Sequence, residues 1–215
     1  MKKIMFNDEY SLTQAVLDKR KNNTRRIIKL KAGEYVRVVA LVNGSFMFYV
    51  AKDGEPTAYV DGNVEMPNFV RILKPKYSIG QEVAVAQSYG TMANEGGDIL
   101  ANMLQDETTF KPEYCGAGWK NKMFVKAELM PHRIKITNVR VERLQDISEE
   151  DCLKEGVVED LKGVQYSYPT SVGYYSQYPF STPKSAYAAL IDKVSGKGTW
   201  ESNPWVFVYE FDLVK

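Results

Sequence analysis

The sequence predicts an α+β protein: a mixed β-barrel flanked by short helices, with loop and hairpin insertions. Three observations carry this. Trp205 to Leu213 sets its large side chains on alternate positions, the pattern of a strand with one buried face. Asn43-Gly44, the strongest short hairpin signal, lies between two further strand-like runs, Tyr35 to Val42 and Phe46 to Ala51. These and other strands are interrupted by three short helical segments, and together they read as a compact barrel with insertions.

In chain order, Lys2 to Phe6 reads as a short first strand. Ser11-Leu12-Thr13-Gln14 fits a capping box, in which Ser11 accepts from the backbone N–H near Gln14 and Gln14 reaches back. Leu12, Ala15 and Val16 form an apolar stripe, so a helix of about ten residues is expected. It runs into Lys19-Arg20-Lys21-Asn22-Asn23-Thr24-Arg25-Arg26, where the two asparagines favour an irregular backbone. Residues 33–73 look like β structure, and Gly80 opens another strand with Val83 and Val85 alternating against smaller neighbours. From Gly90 to Trp119, Gly96, Gly97, Gly116 and Gly118 and a weak β pattern mark an excursion, with a short helix around Asp98 to Leu104.

Lys122 to Glu128 and Arg133 to Leu144 read as strands. In the second, Ile134 and Ile136 share one face while Val139 and Val141 fall on the opposite parity; a bulge near Asn138 puts all four on one side. Ser148 caps a second helix, with Glu149, Glu150 and Asp151 in its first turn and Gly156 past its end. Tyr166 to Phe180 is a loop rich in tyrosine and proline. Thr182-Pro183 starts a third helix, in which Tyr187, Leu190, Ile191 and Val194 follow at helical spacing until Gly196.

The chain has 215 residues, 44% hydrophobic and 26% charged, enough for one folded domain over residues 1–215. Its net charge is +1, so it is not a protein that coats nucleic acid along a broad basic surface, and any such contact rests on a local patch. Cys115 and Cys152 have no Cys-x-x-Cys partner and His132 is the only histidine, which argues against a structural zinc site. No metal or cofactor is implied. The N-terminus turns polar too early for a signal peptide, and no apolar run approaches the roughly 20 residues that span a bilayer. No membrane partner is expected, and a cytoplasmic location is.

Several segments resemble a known family. Arg20-Lys21-Asn22-Asn23-Thr24-Arg25-Arg26 resembles the Arg-Lys-Thr-x-Thr-x-Arg stretch after the first helix of ASCH domains. Pro75 to Val85 resembles their glycine-led strand. Val139 to Gly156 and Gly196 to Val206 resemble phage and prophage members. Together these cover about half of the chain, and the last two are the more specific. Asn22 stands where Thr is usual, Gln81 replaces an acidic residue, and Ala84 stands where phage relatives often carry Trp.

The resemblance implies a single PUA-like β-barrel domain with insertions at about 30–70, 90–118 and 158–180, and a cleft for RNA or a modified nucleoside. One small branch, of amidohydrolases that deacetylate N4-acetylcytidine, uses a Lys, a Thr three residues later and a Glu on a later helix. By position these fall on Lys21, Thr24 and Glu155.

The bland reading stands beside that one, since Lys-Arg runs at helix ends are usually solvated and Glu155 can be an ordinary surface residue. Arg20, Arg25 and Arg26 are candidates to contact phosphate or a base edge. Tyr89 is a candidate to stack on a base, as are Trp119, Tyr166 and Tyr168, although each also suits plain packing. Crowding by Lys19, Arg20, Arg25 and Arg26 pushes the Lys21 pKa down, an adjacent Glu155 pushes it up, and burial decides the sign. Nucleoside or RNA binding is the expected function. Deacylation of an N4-acylated cytidine is the alternative, and a phage protein-interaction module, with a protein partner on the Tyr166 to Phe180 loop, is a second one.

Overall fold

The computed structural model describes residues 1–41, 46–60, 62–95, 112–170 and 179–214. Its main sheet is built from β1 (Lys3–Ile4), β2 (Asn23–Ile27), β8 (Glu82–Val85), β9 (Arg133–Arg143) and β12 (Trp205–Leu213), in the order β1-β8-β9-β12-β2. β1 and β8 are parallel, and the other neighbours are antiparallel. Glu210 lies opposite Asn138 but Phe211 lies opposite Ile136, so Thr137 is the extra residue of a bulge. Ile134, Ile136, Val139 and Val141 therefore oppose Leu213, Phe211, Tyr209 and Phe207 on one face, as their spacing predicts.

That face carries the larger core. Ile4, Val83, Val85, Ile134, Ile136 and Phe211 pack there with Leu12 and Val16 of α1 (Leu12–Leu17). On the other face Val206 and Val208 pack with Cys152 of α3 (Glu149–Lys154) and with Ala186, Tyr187 and Ile191 of α4 (Pro183–Ser195). Each fully buried aliphatic side chain contributes about 1.5–3 kcal/mol. Ser148 accepts from the Asp151 N–H and Thr182 from the Ser185 N–H, so both helices start where their caps predict.

Residues 34–72 form a separate layer. β3 (Glu34–Ala40), β4 (Phe46–Lys52) and β7 (Phe69–Ile72) make a sheet in the order β3-β4-β7, beside a hairpin of β5 (Ala58–Val60) and β6 (Val64–Met66). Tyr49, Ala51 and Met66 give it a core of its own. It docks on the main sheet where the Phe48 and Trp205 rings meet at 6.3 Å, edge to face. The Asn43-Gly44 turn and the expected helix at Asp98 to Leu104 lie outside the described residues. Before and after that second segment the chain forms α2 (Tyr89–Glu95) and a 3-10 run at Pro112–Trp119.

Four expectations need correction. The main sheet is not closed into a barrel: β1 and β2 are its two edges and share no ladder bond. Across that seam Arg26 Nη2 donates to the Met5 carbonyl at 2.7 Å. The first helix is six residues long, and Ser11 holds the N-cap position without a side-chain capping bond; its backbone is left-handed and its hydroxyl donates to the Thr170 carbonyl. The basic stretch is not irregular throughout, because Asn23–Ile27 completes the ladder of β12. Lys122 to Glu128 is not a strand but two 3-10 turns, Lys122–Phe124 and Ala127–Leu129. There the Asn121 side chain accepts from the Met123 N–H, a local bond that competes with a ladder. Among the described residues no helix is long and apolar enough to cross a membrane.

Candidate functional site

At the seam between β1 and β2 lies a cleft of about 380 Å³. Its wall includes Phe6, Lys21, Thr24, Arg25, Arg26, Glu155 and Tyr187. Local structure explains the meeting. α1 ends at Leu17, and the turn after it folds back, with the N–H groups of Arg20 and Lys21 both bonding to the Ala15 carbonyl. Lys21 is thereby set just ahead of β2, which carries Thr24, Arg25 and Arg26. Glu155 is the C-cap of α3, and Gly156 follows at φ 107°, a conformation that suits glycine. The chain can then pass close to α1: a Cβ at Gly156 would stand 3.0 Å from Leu12 Cδ2 and 3.8 Å from Lys21 Cδ.

Lys21, Thr24 and Glu155 are 2%, 5% and 5% exposed. Lys21 Nζ donates to Glu155 Oε2 at 2.5 Å and to the Glu155 carbonyl at 2.7 Å. An ammonium has three N–H groups, so one has no described partner. Burial pulls the Lys21 pKa below the usual lysine value; Glu155 opposes this, and Arg26 and Arg25 reinforce it. The Thr24 hydroxyl bonds to no described residue. The Phe6 ring lies 5.8 Å from Lys21 Nζ and 5.7 Å from the Arg26 guanidinium carbon.

Behind the cleft runs a ladder of ion pairs. Arg25 binds Glu155 Oε1 at 3.2 Å, Asp151 Oδ2 at 2.8 Å and Glu142 Oε1 at 2.7 Å. Arg140 continues the ladder to Glu142, Asp151 and Glu210. A carboxylate at a helix C-terminus opposes the dipole, and Lys21 and Arg25 supply the compensating charge that Glu155 requires. Because Arg25 is held by three carboxylates, it positions Glu155 and has little left for a ligand. Arg26, bonded only to a backbone carbonyl, keeps its charge unpaired among the described residues.

Five of the seven residues singled out in the sequence therefore share this wall, and two do not. Arg20 is half-buried outside it and pairs with Asp18 at 2.9 Å. Tyr89 is packed with Met92, Val125, Ala127 and Met130, and its oxygen accepts from the Lys126 N–H. Trp119 packs in that same cluster, while Tyr166 and Tyr168 pack against the two main cores, so none of the proposed stacking residues reaches the cleft. The rings that do are Phe6 and Tyr187. Tyr187 was legible only as a core residue of its helix, yet its buried hydroxyl has no hydrogen-bond partner among the described residues. Burial, and then Glu155, hold that hydroxyl well above the usual tyrosine pKa, so it is a neutral donor.

Residues 171–178 of the Tyr166 to Phe180 loop lie outside the described residues, as does the Cys115 side chain. Burial pushes the Cys152 thiol up to about 12, which leaves it inert. Among the described residues no cluster of His, Cys, Asp and Glu is placed to hold a metal ion. No protein-family model, no curated protein and no solved structure matches the chain.

Proposed function

We propose that this chain is an ASCH-type domain of the PUA-like group whose seam cleft binds a nucleoside, free or at an exposed position of a short RNA. The observation that carries the reading is the meeting of Lys21 Nζ, the Glu155 carboxylate and Thr24 in one cleft of about 380 Å³. That volume suits one base and its sugar, near the small end of ligand sites. Phe6 and Tyr187 offer flat apolar surface to a ring. The remaining Lys21 N–H and the Thr24 hydroxyl serve its polar edge. The family assignment draws support from order along the chain: a first helix, a basic segment entering an edge strand, and a carboxylate ending a later helix.

Amide hydrolysis is the second reading, and the depressed Lys21 pKa favours it. A neutral Lys21 takes a proton from water or from the Thr24 hydroxyl, which attacks the acyl carbon of an N4-acylated cytidine. Collapse of the tetrahedral intermediate breaks the C–N bond, and Glu155 relays the proton to the departing amine. If Thr24 attacks, water then hydrolyses the ester. Carboxylic acid and cytidine are the products.

The test is calorimetric titration with cytidine and N4-acetylcytidine, with the mixture analysed for product. Lys21→Ala and Glu155→Gln should each weaken nucleoside binding about tenfold to a hundredfold, the worth of a charged hydrogen bond. Conversion to cytidine that Lys21→Ala abolishes would establish the second reading; binding without conversion would leave the first. A protein that binds no nucleoside overturns both and leaves the protein-interaction role.

A further inference from the structure

On the far side of Arg26 lies a second cleft, of about 540 Å³. Met5, Arg26, Ile27 and Lys29 belong to the walls of both, so the two are neighbours. Among the described residues the second wall contains Lys3, Arg26, Lys29, Arg71, Lys74 and Lys76 and no Asp or Glu. In a chain with 28 basic and 27 acidic residues, six cations without one carboxylate is a strong local bias.

Two of the six are already committed. Lys3 donates to the Met123 and Val125 carbonyls, and Arg71 forms a two-point pair with Glu34. Lys29, Lys74 and Lys76 are exposed and form no ion pair with a described residue, although Lys76 Nζ stands 5.3 Å from the Tyr77 ring centre. With Arg26 they leave four positive charges around one concave surface, where low-dielectric walls concentrate the field.

We infer that this second cleft holds the phosphate of the ligand whose base enters the first, so the ligand is a nucleotide or an RNA strand rather than a free nucleoside. The inference rests on the nucleoside reading of the first cleft. Phosphate is the anion assigned because Arg26 borders both spaces, and a planar ring joined by a sugar to an anion in the adjoining space is a nucleotide. The outer wall comes from Arg71 and Ile72 of β7 and from Leu73 and Lys74 after it, at the end of the second sheet. That added layer thereby gains a role: it closes one side of the cleft, while the free cations come from Arg26, Lys29, Lys74 and Lys76 beside it.

The experiment compares wild type with Lys74→Ala/Lys76→Ala, two exposed positions outside the first cleft. The probes are cytidine, cytidine 5′-monophosphate, a labelled hexanucleotide RNA and polyglutamate, each measured at several salt concentrations. Phosphorylated probes should bind more tightly than cytidine and lose about tenfold in the double variant. Its salt slope for the hexanucleotide should be shallower by about 1.4, from two cations at about 0.7 each. Cytidine should bind both proteins equally. Hexanucleotide binding above that of the monophosphate identifies a strand as the source of the phosphate; equal binding identifies a nucleotide. Unchanged hexanucleotide affinity and slope in the double variant, or polyglutamate bound as well as RNA, overturns the inference. RNA binding that depends on the two lysines, without any cytidine binding, would sink the nucleoside reading while leaving the anion cleft.

Discussion

Lys21 is 2% exposed and carries an amine that would be charged in water, so its protonation is tied to the folded state itself. Burial outweighs the attraction of Glu155 and leaves its pKa below the ordinary 10.5. Between that depressed value and 10.5 the unfolded chain binds more protons than the folded one. The contribution to stability is therefore fully present above 10.5 and is lost as pH falls through the folded value. Lys21→Met removes the titrating group while leaving the other titrating residues in place. Urea midpoints measured from about pH 7 to 10 should rise more steeply for wild type than for the variant. Parallel curves would mean that Lys21 titrates like a solvated lysine and has no special readiness to act as a base. The same residue shows what a sequence can and cannot disclose. Crowding by Arg25 and Arg26 was legible as a downward push and Glu155 as an upward one, but the balance is set by desolvation, which depends on Phe6 after β1 and Leu12 of α1 lining the same cleft.

Among the elements, α3 approaches α1 through one glycine. Gly156 and Gly196 have nearly the same φ, 107° and 108°, but an added Cβ would touch Leu12 Cδ2 at 3.0 Å in the first case and nothing within 4 Å in the second. Alanine at either site should cost about 1–3 kcal/mol from backbone strain. Gly156→Ala should cost more, because α1 or Leu12 must also move, and it alone should weaken nucleoside binding, since Lys21 Cδ is the next atom in line. Denaturation midpoints and titrations of the two variants check this; equal stability losses with unchanged binding would show that the α1–α3 approach has room to spare. Elements whose signals are local were readable in advance: the Ser148 and Thr182 caps, the alternation of Trp205 to Leu213, and the parity change that places the bulge at Thr137. Elements decided by distant partners were not. Ser11 gives its hydroxyl to Thr170 instead of its helix, and Asn23–Ile27 becomes a strand only because the edge of β12 is open to it. Lys122 sends its amine to the Phe6 carbonyl and Asp8, more than a hundred residues away in sequence, contacts that no local pattern announces.

At the scale of the molecule, the two sheets have separate cores. The larger cluster draws on β1, α1, β8, β9 and β12 and on Tyr77, Tyr168 and Leu190, and contains no residue from 29–73. The smaller one is made wholly of residues within 35–69. Lys29 and Lys74 border the same cleft, so the chain leaves the main sheet and returns to it at neighbouring points. A layer with its own core, entered and left at one place, is an insertion that the main sheet can lose. Replacing residues 31–73 by a short Gly-Ser linker should leave a cooperative urea transition. Its slope should be smaller, because less surface is exposed on unfolding. Trp205 loses the Phe48 ring in this variant, so its fluorescence should report a more solvated indole in the folded state. Cytidine affinity should survive, because no residue of 31–73 lies in the wall of the first cleft, whereas the phosphate-dependent gain should shrink but persist, because Arg71, Ile72 and Leu73 leave the wall of the second while Arg26, Lys29, Lys74 and Lys76 remain. A variant that unfolds without cooperativity would show that the docked layer is part of the fold rather than an addition to it. A variant that folds yet binds nucleotide as tightly as wild type would show that the four remaining cations hold the phosphate without help from the layer.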